Sequence, residues 1–142
     1  LRRLRAKLWS DGTERPIGFP DTSYVASAGA NPEYASSSFR LVYSSLSTPN
    51  SVYDYHLADG TLTLLKREPV LGKFRPTNYV SELVFAPARD GRMIPVSLLH
   101  RKRIGPRAKA PMLITGYGAY GTSSDPFFNA ARLSLIDRGV LF

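Results

Sequence analysis

Short runs in which apolar and polar residues alternate, each closed by a turn-forming cluster, fill the first half of the chain, and this period of two predicts antiparallel strands. Leu4 to Trp9 leads into Asp11-Gly12-Thr13 and Arg15 to Phe19 leads out of it. Asp-Gly supplies the positive φ angles that a tight hairpin needs. Val52 to Leu57 and Leu62 to Leu65 flank a second Asp-Gly-Thr at residues 59–61, 48 residues after the first. Between them, Tyr24 to Ser27 and Phe39 to Ser45 supply two more strands, separated by the loop-like Ala30-Asn31-Pro32-Glu33. About four strands every 40 to 50 residues is the pattern of a β-propeller blade. Asp-Gly hairpins also recur in other antiparallel sheets, and periodicity alone leaves both readings open.

The pattern changes after Arg67-Glu68-Pro69. Residues 70–78 carry Gly72, Pro76 and Asn78 without periodicity, as a linker or domain crossing would. Glu82 to Ala86 and Met93 to His100 then flank Arg89-Asp90-Gly91-Arg92, a further hairpin, and Arg101 to Ala110 reads as a basic surface loop with a Gly-Pro step. Pro111 to Thr115 is apolar without alternation, which predicts a strand buried on both faces. A helix follows. Asp125 is placed to cap it, Pro126 to occupy its first position, Phe128, Ala131 and Leu135 to form its apolar stripe, Gly139 to end it and Arg138 to face the negative pole of its dipole. Strand, glycine-rich loop, helix and a new apolar strand at residues 139–142 is the order of an α/β sheet.

With 142 residues, 43% of them hydrophobic, the chain is long and apolar enough for a core, and wholesale disorder is not expected. It has no cysteine, so neither disulfides nor thiolate–metal sites arise, and the isolated His56 and His100 predict no structural metal. No apolar run reaches the roughly 20 residues of a membrane helix, and the start, Leu-Arg-Arg-Leu-Arg, lacks the apolar stretch of a secretory signal. A soluble cytoplasmic protein without membrane contact is the expectation. The net charge of +8 would suit a polyanion. Only residues 1–7 and 100–109 are locally dense in it, without the interleaved aromatics of a single-strand platform, so nucleic-acid binding is not expected. The chain begins at Leu1 and stops where an apolar strand is starting, which reads as a piece of a longer protein.

Gly116-Tyr117-Gly118-Ala119-Tyr120-Gly121 satisfies G-x-G-x-x-G and admits three readings. A dinucleotide site needs the last glycine at the helix start and an acidic residue ending the next strand. Here Thr122 to Asp125 intervene before Pro126, and Asp137 falls in the helix. No Gly-Lys-Ser/Thr follows to make a phosphate loop, and no cofactor is expected. Structurally, the glycines would let the loop turn sharply while Tyr117 and Tyr120 pack beside it. Catalytically, a loop at the carboxyl end of an α/β strand is where such sheets place their chemistry, and a tyrosine hydroxyl there can donate to a developing oxyanion.

The run Met112-Leu113-Ile114-Thr115-Gly116-Tyr117-Gly118-Ala119-Tyr120-Gly121, followed by Asp125-Pro126 and Arg132-Leu133-Ser134-Leu135-Ile136-Asp137-Arg138-Gly139, resembles the start of the hydrolase domain in the prolyl oligopeptidase family, oligopeptidase B in particular. Val42-Tyr43-Ser44-Ser45-Leu46-Ser47-Thr48-Pro49 and Ala88-Arg89-Asp90-Gly91-Arg92-Met93-Ile94-Pro95-Val96-Ser97-Leu98 resemble it in the same order. The likeness runs from about Asn31 to Phe142. It implies a β-propeller part over residues 1–71 and the incomplete start of an α/β-hydrolase domain over 72–142.

It also implies a serine endopeptidase acting on short peptides after Lys or Arg. In that chemistry serine attacks the carbonyl, histidine serves as base and acid, and aspartate orients the histidine. Tyr117 stands at the position of the family's oxyanion tyrosine. The triad is absent: no G-x-S-x-G occurs, and Gly121-Thr122-Ser123-Ser124-Asp125 ends in Asp where the elbow needs Gly. Ser123 and Ser124 therefore read as loop or cap residues, His56 and His100 as structural, and Asp137 as lacking a histidine within sequence reach. Thr115 departs from the aromatic residue common before the first loop glycine. The expectation is an inactive fragment of such a peptidase. The alternatives are a fragment of a prolyl-specific member and a non-catalytic β-rich binding module. The sequence does not set the oligomeric state.

Overall fold

Where the sequence places Asp-Gly pairs, the chain reverses. The computed structural model describes residues 4–7, 12–104 and 109–142. Trp9, Asp11 and the Gly105-Pro106 step, together with the basic residues at 1–3 and 105–108, lie outside the described residues. Strands β1 (Arg5–Lys7) and β2 (Glu14–Pro16) pair antiparallel with Ala6 opposite Arg15, and Gly12 takes a φ of 69° in the connection. Strands β3 (Tyr24–Ala28), β4 (Ser38–Ser45), β5 (Ser51–His56) and β6 (Leu62–Arg67) form one antiparallel sheet in chain order. Gly60, φ 76°, serves the β5–β6 turn, where the Asp59 carboxylate accepts from both the amide and the hydroxyl of Thr61. These two bonds hold the Asp59 carboxyl below its ordinary pKa. Hairpin β1–β2 thus stands one period before hairpin β5–β6, and the four-stranded meander is the unit that the repeat predicts.

Alternation decides which side of the meander is dry. Leu41 and Tyr43 on β4 and Tyr55 on β5 are buried, while Val42 between them is exposed. Ile17, with Leu4 and Ala6 beside it, covers Leu41 and Tyr55, so the first core lies between the hairpin and the four-stranded sheet. Tyr43 stacks on Phe19 at 4.4 Å between ring centroids and donates its hydroxyl to Asp21. Asp21 also accepts from Ser47 Oγ at 3.3 Å and Thr48 Oγ1 at 2.9 Å, which ties the segment before β3 to the β4–β5 turn.

Strands β7 (Tyr79–Pro87) and β8 (Met93–Arg101) make the third expected hairpin, with Gly91 at φ 82° in its turn. Phe142 exchanges both backbone hydrogen bonds with Leu99 of β8, at 2.7 and 2.9 Å, an antiparallel pairing. On its other side the same terminal segment meets residues 111–113 in parallel, through the Met112–Leu141 bridge and bonds from Leu113 N to Leu141 O and Leu141 N to Pro111 O. The spatial order is β7, β8, residues 141–142, residues 111–113. Helix α1 (Ala130–Asp137) makes the crossover between the two parallel segments.

Two expectations need correction here. Residues 111–115 are not buried on both faces: Met112 is 51% and Ile114 79% exposed, because among the described residues only the terminal segment pairs with them. The helix starts later than expected. Asn129, not Asp125, is the N-cap, its side chain accepting from Ala131 N at 2.9 Å, while Asp125 and Pro126 belong to a turn closed by Phe127 N on Asp125 O. The buried stripe is Leu133 and Ile136, and Ala131 is exposed. The end agrees with expectation. Gly139, φ 94°, follows the cap Arg138, with Gly139 N on Ile136 O and Val140 N on Leu135 O, the two bonds of a Schellman motif. Arg138 Nε also donates to Ser134 O at 2.8 Å, near the negative end of the helix.

A second core joins Tyr79, Leu99, Leu133 and Ile136 to Leu46, which comes from the β4–β5 turn of the meander. Ser23 and Ser97 meet at 2.6 Å between hydroxyls, and Phe128 N donates to Ser44 Oγ at 3.1 Å. The meander and the later strands therefore share a core and hydrogen bonds.

Candidate functional site

The glycine-rich loop leaves the carboxyl end of residues 111–115 and changes direction through three left-handed residues, Gly118 (φ 65°), Tyr120 (φ 53°) and Gly121 (φ 66°). Among the described residues Tyr120 is the one non-glycine with positive φ, a conformation that costs a side-chain-bearing residue about 1–2 kcal/mol. A bond from Thr122 N to Ala119 O at 3.0 Å closes the turn. The tyrosines do not pack against the sheet as the structural reading expected. Tyr120 is 94% and Tyr117 64% exposed. The start of α1 lies beyond residues 122–129, so Gly121 does not open the helix as a dinucleotide fingerprint requires.

Tyr117 borders a cavity of about 620 Å³, walled by residues 94–98 of β8, residues 112–118, the loop 122–126, Arg132 and Phe142. Its hydroxyl has no hydrogen-bond partner among the described residues. The same loop 122–126 borders a second cavity of about 690 Å³ against Tyr24, Val25, Ala26 and Ser27 of β3. A phenol donor without an acceptor among the described residues, on the rim of a cavity at the end of a parallel segment, can stabilise negative charge that develops on a bound ligand.

The other candidate residues are not gathered there. Ser123 and Ser124 border the cavity without a histidine. His56 lies on the meander with its Nε2 at 3.0 Å from Thr63 Oγ1. His100 is buried in β8, its Nε2 at 2.6 Å from Glu82 Oε1 and its Nδ1 at 2.9 Å from Arg101 O, so both ring nitrogens are engaged in structure. Asp137 accepts from Tyr79 Oη at 2.8 Å and Arg101 Nε at 2.9 Å, and it anchors the end of α1 to β7 and β8. Burial first, and the adjacent Asp137 carboxylate second, raise the Tyr79 pKa. Among the described residues no group of three or more histidine or acidic side chains converges as a metal site would require, and no helix is long and apolar enough to cross a membrane.

Arg132 was not singled out by its sequence context, where it reads as a solvated helix residue. It lies on the cavity wall, donates Nη1 to Phe127 O at 3.2 Å and stacks its guanidinium 3.8 Å from the centroid of the Phe142 ring. Burial lowers its pKa.

Residues 1–68 match the family described as prolyl oligopeptidase, N-terminal β-propeller domain. The chain is 40% identical to dipeptidyl aminopeptidase BI of Pseudoxanthomonas mexicana over 100% of its own length and 20% of that protein's. Oligopeptidase B from Leishmania major superposes with a TM-score of 0.81 at 32% identity, over 99% of this chain and 21% of that one. Oligopeptidase B from Trypanosoma brucei, in a closed form with covalently bound antipain, gives a TM-score of 0.81 at 31% identity, over 98% and 21% of the two chains. The chain thus spans about a fifth of the length of these relatives. Its antiparallel sheets match those of proteins with a β-propeller domain, and its relatives carry peptidase names. Over residues 1–68 it matches the β-propeller domain of the prolyl oligopeptidase family, and over its whole length it is similar to peptidases of that kind.

Proposed function

We propose that the chain is part of a serine peptidase, with residues 1–71 ending its β-propeller and residues 72–142 beginning its α/β-hydrolase domain, and that Tyr117 is its oxyanion donor. The observation that carries this reading is the Tyr117 hydroxyl, unpartnered among the described residues and on the rim of the 620 Å³ cavity at the end of a parallel segment. The strand order supports it. An antiparallel hairpin is followed by a parallel pair with a helical crossover, and the later parallel segment lies in the middle, an arrangement that leaves the glycine loop at a carboxyl edge.

In the proposed reaction, a serine supplied by the rest of the enzyme attacks the peptide carbonyl of a short substrate. Tyr117 Oη donates to the oxygen as it becomes an anion, together with a backbone N–H near the nucleophile. The likeness to oligopeptidase B favours cleavage after Lys or Arg. By itself the 142-residue chain is proposed to be inactive, since its serines at the cavity have no histidine beside them. Reading the coding DNA beyond Phe142 tests the first step. A frame that continues into a glycine-flanked serine and later Asp and His is expected, and a stop codon there would leave a non-catalytic module. In the complete enzyme, Tyr117→Phe is expected to lower kcat by about 10²–10³. An unchanged kcat would remove Tyr117 from the site.

A further inference from the structure

Among the described residues, Arg5, Arg40, Arg92 and Arg101 lie against carboxylates, at 3.4, 3.0, 3.5 and 2.9 Å. Arg132 is more enclosed than most surface arginines and has no carboxylate within ion-pair distance among the described residues. Its neighbours satisfy its shape more than its charge. The Phe142 ring, 3.8 Å away, covers one guanidinium face, and the Phe127 carbonyl, at 3.2 Å, takes one of five N–H donors. Among the described side chains on the wall of the cavity, Asp125 carries the one carboxylate, and it makes no ion pair with Arg132. A partly dehydrated cation held over an aromatic ring, with donors left over on the wall of a cavity, matches a planar anion that it can grip by two parallel hydrogen bonds.

We infer that Arg132 receives the free C-terminal carboxylate of a short peptide whose cleaved bond lies at Tyr117. The inference rests on the peptidase reading and adds to it a substrate class. Both residues border the same 620 Å³ space, which is of the size that holds a small ligand and accommodates a few residues beyond the cleaved bond. Peptides ending inside the cavity gain the ion pair. Longer chains place an uncharged peptide group against Arg132 and lose it. The charge of Arg132 is then a length gauge.

The test compares binding of acetyl-Ala-Ala as the free acid and as the C-terminal carboxamide to the full chain by calorimetry. The acid is expected to bind about tenfold or more tightly, as a charge-assisted pair would give. Arg132→Gln is expected to abolish that difference, and Arg132→Lys to retain part of it, with the far-ultraviolet circular dichroism unchanged. Equal binding of acid and amide by the unmodified chain overturns the inference, and so does a preference that survives Arg132→Gln. Acetate binding as tightly as acetyl-Ala-Ala also overturns it, since the site would then take any small carboxylate. Should the Gln variant fail to fold, the acid–amide comparison in the unmodified chain decides alone. None of these measurements needs turnover, so they fail separately from the Tyr117 assignment, which stands on kcat.

Discussion

Replacing Tyr43 by Phe removes one hydroxyl and leaves a ring that is fully buried between Phe19, Tyr24 and Tyr53. The ring contacts survive, so the change isolates the hydrogen bond to Asp21. That acceptor is a carboxylate, and hydrogen bonds to charged groups contribute about 1.5–3 kcal/mol. Asp21 keeps Ser47 and Thr48, at 3.3 and 2.9 Å, which places the expected loss toward the lower half of that range. Urea unfolding at pH 8 measures it as a fall in midpoint at constant slope. A second arm uses pH. Burial, then the Asp21 carboxylate, raises the Tyr43 pKa far above the ordinary phenol value of 10.0. The native state therefore holds this proton where the unfolded state has lost it. The contribution is complete below pH 10 and falls away as the pH rises above it, with a limiting slope of about 1.4 kcal/mol per pH unit for one group. Tyr79 is raised as well and adds to the same alkaline fall, so Tyr43→Phe should make that fall shallower without abolishing it. A variant as stable as the parent at pH 8, with the same alkaline limb, would refute this account of Asp21 as the hub between the pre-β3 segment and the β4–β5 turn.

Leu46→Ala should destabilise the chain by about 2–5 kcal/mol in the same urea assay, because Leu46 is 3% exposed within the core formed with Tyr79, Leu99, Leu133 and Ile136. Gly139→Ala should lower stability by about 1 kcal/mol or more, read as a drop in Tm, since φ is 94° there and the added methyl would meet Ile104 Cδ1 at 3.3 Å. The Asp59 carboxyl, whose pKa is lowered in the fold by the Thr61 amide and hydroxyl, contributes stability above its unfolded pKa that is lost as the pH falls through the folded value. Asp59→Asn should therefore flatten the acid limb of a stability–pH profile while leaving the alkaline limb unchanged.

Local chemistry made the hairpins legible: Gly60 and Gly91 sit in turns with φ of 76° and 82°, as Asp-Gly pairs foretell. The end of α1 was legible for the same reason, since a Schellman motif is written within six residues. Its start was not. Asp125-Pro126 carries a start signal as strong as Asn129 does, and the choice of Asn129 coincides with Phe128 N bonding to Ser44, 84 residues away. Residues 111–115 read as a fully buried strand because runs of apolar residues do not record how many neighbours arrive. The position of Tyr117 followed from the glycines around it. The hub at Asp21 and the ring beneath Arg132 come from contacts between residues apart in the chain, which no short motif announces.

The middle place of the terminal segment has a consequence for the order in which the chain can assemble. Leu99 waits 43 residues for Phe142, and residues 111–113 wait for Leu141, so β8 keeps an unpaired edge after its own hairpin with β7 is complete. On a ribosome, which emits residues 24–101 before residues 111–142, the four-stranded meander and the β7–β8 hairpin can close early through local contacts, whereas the join between β8 and residues 111–113 must await residues 141–142 and the loop closure they require. Until then the growing polypeptide presents a bare strand edge to its surroundings, the interval in which a chaperone would have something to bind.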